Sequence, residues 1–167
     1  LNKPRIALIV GGSTRHRDFT SEMAKELASW ASSMALKAGG SLLITTSRRT
    51  GSAAEKLLES ITAPSDIFCW DEENKSDNPY KAYLALADAI IVTGDSSSMC
   101  SEACGGIKPV YIYAPTSLTA PKHRRLHQEL FNMGYARPLT AESLYEQWSH
   151  PPLNAADDIA QAVFRCF

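Results

Sequence analysis

Between the apolar runs AIIV (89–92) and VYIY (110–113) the chain reads TGDSSSMCSEACGGIKP, which carries more hydrogen-bonding side chains than a strand-to-helix turn needs. One capping oxygen is enough at a helix start. A surplus of hydroxyls where unpaired N–H groups and a partial positive charge collect is the chemistry of an anion site. The helix dipole contributes only about 0.3–1 kcal/mol at an exposed position, so hydroxyl and guanidinium partners must supply the remainder. Ser96, Ser97 and Ser98 offer the hydroxyls. Glu102, one turn further along, suits a different task, because a carboxylate accepts both hydroxyls of a ribose. Each has a plainer alternative: a single serine suffices as a cap, and Glu102 equally suits a solvent-facing helix side. Asp95 would repel a phosphate if it pointed inward, so it is expected to cap or to face away.

Cations gather at three neighbouring places although the whole chain carries a formal charge of −1. GGSTRHRD brings Arg15, His16 and Arg17, TTSRRT brings Arg48 and Arg49, and APKHRRLH brings Lys122, His123, Arg124, Arg125 and His127. One such cluster is usually a solvated face. Several of them converging with a serine-rich helix start point to an anion site. In GGS the backbone N–H groups of Gly11, Gly12 and Ser13 can approach a phosphate closely, since glycine has no Cβ in the way.

The elements that must position these residues alternate along the whole chain. RIALIV (5–10) reads as a strand buried on both faces, followed by an amphipathic helix over 20–38 with Phe19, Met23, Leu27, Trp30 and Met34 at three- and four-residue spacing. SLLITTS (41–47), DIFCW (66–70), 89–93 and 110–113 are the next strands. Helices are predicted over 53–60, 79–87 (Asn78 as cap, Pro79 at the first helical position), 123–133 and 155–164, with a weaker one over 142–148. Strand–helix alternation with short crossovers predicts α/β, a three-layer α/β/α Rossmann-like domain with a parallel sheet, and a single domain over residues 1–167. In such a sheet the ligand site lies at the carboxyl ends of the strands, where all the clusters named above emerge.

Composition excludes several classes. With 44% apolar and 21% charged residues the chain is ordinary for a globular domain, and its charge offers no global attraction for nucleic acid. No apolar run reaches the roughly 20 residues of a membrane helix, and no signal-peptide core is present at the N-terminus. Cys69, Cys100, Cys104 and Cys166 show no CxxC spacing; Cys100 and Cys104, one turn apart, read as buried thiols, and a cytoplasmic setting is expected. GGSTRH is not GxGxxG and no acidic residue ends the second strand, yet Ser47-Arg48-Arg49 suits the 2′-phosphate of NADP, so a dinucleotide domain stays open. No Tyr-x-x-x-Lys, no P-loop and no GxSxG elbow is present. The chain opens on Leu1 directly before a core strand and is expected to be a fragment of a longer protein.

The stretches TSRRT, NPYKAYLALADAIIVTGDSSSMCSEA, KPVYIY and HRRLHQELFNMGYARPL resemble the landmarks of the "elongated mitochondria" fission-protein family, from Gly11 to about Leu153. That resemblance implies the C-terminal half of a protein about twice as long. More distantly, the strand, serine turn, helix, glutamate, Gly-Lys-Pro and strand are similar to the donor-binding C-terminal domain of GT-B glycosyltransferases. There the helix start receives the diphosphate of a sugar nucleotide and a glutamate holds the ribose, roles that by likeness fall to Ser97, Ser98 and Glu102. This turn is one residue longer than in the peptidoglycan enzyme of that group, and Ile107 stands where glycine is frequent, so Gly105 and Gly106 are expected to make the left-handed helix stop.

The expected function is therefore the nucleoside-diphosphate-sugar-binding half of a GT-B-like glycosyltransferase, stabilising the diphosphate leaving group. Its ligand-binding residues would be Gly11, Gly12, Ser13, Arg15, Arg48, Arg49, Ser96, Ser97, Ser98, Glu102 and Arg124. No metal or other cofactor is called for. The partners would be a missing N-terminal domain, the nucleotide sugar and a peripheral membrane acceptor, with no nucleic acid. The alternatives are a non-catalytic fission-type interaction module with a decayed donor site, or an NADP-binding domain.

Overall fold

RIALI becomes the central strand because its side chains must be apolar on both sides: Ile6 and Leu8 enter one core, Ala7 and Ile9 the other, and all four are buried. In a computed structural model, described over residues 1–154, the order is β1 (Arg5–Ile9), α1 (Ser21–Lys37), β2 (Ser41–Thr45), α2 (Ala53–Glu59), β3 (Ser65–Phe68), α3 (Tyr80–Leu86), β4 (Ala89–Thr93), α4 (Ser97–Ala103), β5 (Val110–Tyr113), α5 (Pro121–Asn132) and β6 (Arg137–Pro138). Single 3-10 turns form at Arg48–Thr50 and Lys75–Asp77. The sheet runs β3-β2-β1-β4-β5-β6, every pairing parallel. Winding reverses at the β1/β4 pair, where Ile6 lies opposite Ala89 and Ile9 opposite Val92. This is the switch point at which open parallel sheets bind ligands.

Helices cover both faces, which is why the inner strands are continuously apolar instead of alternating. On one side α1 buries Leu27, Ala31, Met34 and Ala35 against Ile6, Leu8 and Ile44, together with Leu57 of α2. On the other side Tyr83 of α3, Cys100 and Ala103 of α4 and Leu130 of α5 close over Ala7, Ile9, Val92 and Ile112. Thr20 caps α1, its hydroxyl accepting from Met23 N–H at 3.2 Å. Among the described residues no helix is long and apolar enough to cross a membrane.

Several local expectations change. The helix predicted over 142–148 does not form. Tyr111 Oη donates to Leu144 O (3.0 Å) and accepts from Glu146 N–H (3.3 Å), while Trp148 packs edge-on to Tyr111 beneath Arg137. These tertiary partners outweigh a weak helical propensity. The chain that reaches them adds a strand absent from the sequence expectation, β6, whose Pro138 is tolerated because it sits at the sheet edge. Pro79 stands at the N-cap of α3, and Asn78 Oδ1 takes the Tyr80 N–H at 3.0 Å. Gly105 and Gly106 are not left-handed; Cys104 ends α4 in ordinary helical geometry. The helix predicted over 155–164 lies outside the described residues.

Candidate functional site

The turn after β1 is held by the ends of its two neighbouring strands. Gly11 N–H donates to Thr93 Oγ1 (2.8 Å), Gly12 N–H to Asp95 Oδ2 (3.1 Å) and Ser13 N–H to the Arg49 carbonyl (2.9 Å). The Gly11 carbonyl accepts from Ser47 Oγ (2.7 Å) and Thr50 Oγ1 (2.6 Å). Both glycines are required. A Cβ on Gly11 would collide with the Asp95 carboxylate, and Gly12 has φ 145° with the Arg49 backbone against it. The backbone donors that the sequence offers to a phosphate are thus engaged within the protein.

Asp95 corrects the expectation most directly. It points inward, with its side chain 0% exposed, and its Oδ2 lies 2.6 Å from Arg49 Nη1, itself about one-third exposed (34%). Strand order brings this pair together: β2 and β4 flank β1, so the residues that follow them meet across its turn. A carboxylate taken out of water needs a paired charge and hydrogen bonds, and Arg49 with Gly12 provides them. Arg49 Nη1 also donates to Gly12 O (3.4 Å) and Ser13 O (3.3 Å), which fastens the β1 turn to the β2 exit.

Around this closed centre the remaining candidates divide. Ser96 is the N-cap of α4, its hydroxyl accepting from Met99 N–H at 3.3 Å, which is the plain role foreseen for one serine. Ser97 and Ser98 are exposed at the first two helical positions, whose N–H groups a helix cannot satisfy from within. Arg15 and Arg48 are exposed on the loops after β1 and β2, and no hydrogen bond or ion pair engages either among the described residues. Arg124 stands apart, its guanidinium donating to the Thr119 (2.9 Å) and Thr116 (3.3 Å) carbonyls of its own loop. Arg17 reaches the same loop from β1 through Thr116 O and Ser117 O.

Glu102 stands apart too. It lies roughly 7 Å along α4 from Ser97, at 1.5 Å per residue, and lines a cleft of about 330 Å³ with Lys81 and Lys108 between α3 and α4. Its carboxylate adjoins the Tyr80 hydroxyl, which burial first and Glu102 second push to a higher pKa. At the mouth of β1 and β2 itself the cavity is small, about 60 Å³, walled by Val10, Thr46, Ser47, Asn78, Tyr80 and Met99. Ligand pockets usually measure about 300–1,000 Å³. Larger hollows of about 400 and 370 Å³ open at the opposite edge of the sheet, beside Asp88, Tyr145 and Gln147, away from the cation clusters.

Sequence reasoning did not single out Thr50, Thr93 or the pairing of His127. Thr50 and Thr93 are buried hydroxyls directly beside the glycine turn. His127 is 2% exposed and places Nε2 3.7 Å from Cys100 Sγ. Burial, then neighbouring His123, lower its pKa to about 4 against the opposing pull of Asp95. Burial pushes the Cys100 thiol up, and Cys104 up to about 12, in keeping with two buried, unreactive thiols. The T-G-D triplet at a strand exit was the available signal: a carboxylate next to glycine, on a turn facing another glycine turn, has room to enter.

A solved structure of the MAR1 ribonuclease of Caenorhabditis elegans shares the fold, with a TM-score of 0.52 at 14% identity over 85% of this chain and 80% of that one. An uncharacterized protein of Rickettsia prowazekii is 31% identical over 94% of this chain and 45% of its own length. Mitochondrial fission protein ELM1 of Arabidopsis thaliana is 31% identical over 99% of this chain and 38% of its own. The chain therefore spans less than half the length of the curated relatives it matches. The family model for Mitochondrial fission ELM1 matches residues 1–167, and the chain belongs to that family.

Proposed function

We propose that this domain is the nucleoside-diphosphate-sugar-binding half of a two-domain GT-B-like transferase, with the diphosphate held outside the β1/β4 switch point. The observation that carries the reading is the pair of guanidiniums, Arg15 and Arg48, that no partner engages among the described residues, standing with exposed Ser97 and Ser98 at the carboxyl ends of three adjacent strands. Guanidinium forks pair with phosphate oxygens in two hydrogen bonds, and helix-start N–H groups and hydroxyls complete the set. Transfer breaks the bond from the anomeric carbon to the diphosphate oxygen and forms one to an acceptor hydroxyl. The cations stabilise the charge that develops on the departing diphosphate. The acceptor and the base that takes its proton belong to the remainder of the longer protein. Glu102, beside Tyr80, would accept the ribose hydroxyls.

A non-catalytic interaction module is the second reading, favoured by the inward Asp95 and the cavity of about 60 Å³ at the strand ends. An NADP-binding domain has less support: Arg49 is committed to Asp95, and the glycine-turn N–H groups are engaged. Calorimetric titration with UDP, GDP, ADP and NADP decides among the three. A half-site should bind a nucleoside diphosphate with a dissociation constant from millimolar to tens of micromolar, about −4 to −7 kcal/mol, weakened in Arg48→Ala and Glu102→Ala. Tight NADP binding, or binding that ignores both substitutions, would overturn the proposal; silence from all four at millimolar ligand would favour the interaction module.

A further inference from the structure

Among the described residues the buried polar side-chain atoms without a hydrogen-bond partner are Arg5 Nε, Tyr80 Oη, Asp95 Oδ1, His123 Nδ1, His127 Nδ1 and Trp148 Nε1. Three of these atoms belong to one electrostatic neighbourhood, since Asp95 acts on both histidines and His123 acts on His127. Buried polar atoms are nearly always paired in native proteins, so this concentration calls for a physical account. Asp95 leaves one oxygen unpaired while the other takes Gly12 N–H (3.1 Å) and the Arg49 guanidinium (2.6 Å). What holds the carboxylate in place is therefore a glycine-turn N–H and an arginine, the donors that a phosphoryl or carboxylate oxygen of a ligand would use.

The geometry points to Asp95 as a built-in occupant of an inner anion cradle, made by Gly12 N–H and Arg49, which an external oxyanion enters only when the Asp95 carboxylate leaves. The ligand class is a small oxyanion or the terminal oxygens of a phosphorylated compound. The cradle rests on the reading of the switch point as an anion site and extends it inward from Arg15, Arg48, Ser97 and Ser98. The unpartnered Nδ1 atoms of His123 and His127 lie in the same electrostatic neighbourhood as the carboxylate that would have to move. The two occupants compete for the same donors, and Asp95 thus sets both the affinity and the minimum charge of what can bind.

Chemical rescue tests this. The Asp95→Ala chain is melted thermally against increasing inorganic phosphate, with chloride at matched ionic strength as control, and Asp95→Asn is titrated with pyrophosphate by calorimetry. The cradle predicts a lowered melting temperature in Asp95→Ala that phosphate restores saturably, by clearly more than it shifts wild type. It also predicts pyrophosphate binding about tenfold or more tighter in Asp95→Asn than in wild type. Equal effects of phosphate on both chains, or unchanged pyrophosphate affinity in Asp95→Asn, would overturn it. Should Asp95→Ala not fold, the Asn variant decides alone. Rescue without UDP binding by wild type sinks the donor-site proposal and keeps the cradle. Arg48-dependent UDP binding with no rescue does the reverse.

Discussion

His127 makes the fold sensitive to acid over a defined window. Its imidazole is buried against Cys100 and Phe131, and its pKa falls from an ordinary 6.5 to about 4, by burial first and the neighbouring His123 second. The unfolded chain takes up a proton near pH 6.5 that the folded chain refuses until about pH 4. Stability contributed by the neutral ring is therefore complete above 6.5 and is lost progressively as pH falls to 4, where it levels off. At 1.36 kcal/mol per pKa unit the full loss is about 3 kcal/mol, of which about 2.5 kcal/mol has gone by pH 4.5. That is a large part of the roughly 5–15 kcal/mol available to a domain. Urea unfolding of wild type and His127→Gln at intervals from pH 7.5 to 4.5 isolates the effect, because carboxylates titrating in the same range act on both proteins. The stability gap between the two should change by about 2.5 kcal/mol in favour of the variant as pH falls. A gap that stays constant across the range would refute the assignment.

Two other outcomes follow from the packing. Thr50→Val removes the hydroxyl that donates to Gly11 O and accepts from Ser47 N–H, so it should cost about 1–3 kcal/mol in urea unfolding and loosen the glycine turn. In a thiol titration of the folded chain Cys69, which is exposed, should react before Cys100 and Cys104, which should react only on unfolding. Early reaction at Cys100 would mean that the α4 layer opens far more readily than its burial implies.

Membership of the Mitochondrial fission ELM1 family gives these tests a wider use, since the Gly11–Gly12, Arg49 and Asp95 arrangement can be sought residue by residue in the longer relatives. It also sets a boundary on the donor-site proposal. A GT-B-like cleft needs two facing halves, and a cavity of about 60 Å³ on this half is too small to enclose a nucleotide by itself.

What was legible in the sequence was local. Apolar runs such as RIALI and AIIVT declare strands buried on both faces, and the spacing of Leu27 and Met34 declares the helix that covers them, because burial periodicity is written directly in side-chain order. The same logic brought the arginines and serines to one edge of a parallel sheet. Failures came where a distant partner overrode a local preference: Tyr111 and Arg137 hold 142–148 out of a helix, and β6 exists because β5 offers it an edge. Asp95 is the sharpest case. Charge repulsion read along the chain turned it away from the anion site, yet strand order β2-β1-β4 sets Arg49 and the Gly12 N–H across from it, and together they draw it into the interior. Which charges are near in space, and which donors they have already taken, follows from the order of strands in the sheet; no spacing along the chain encodes it.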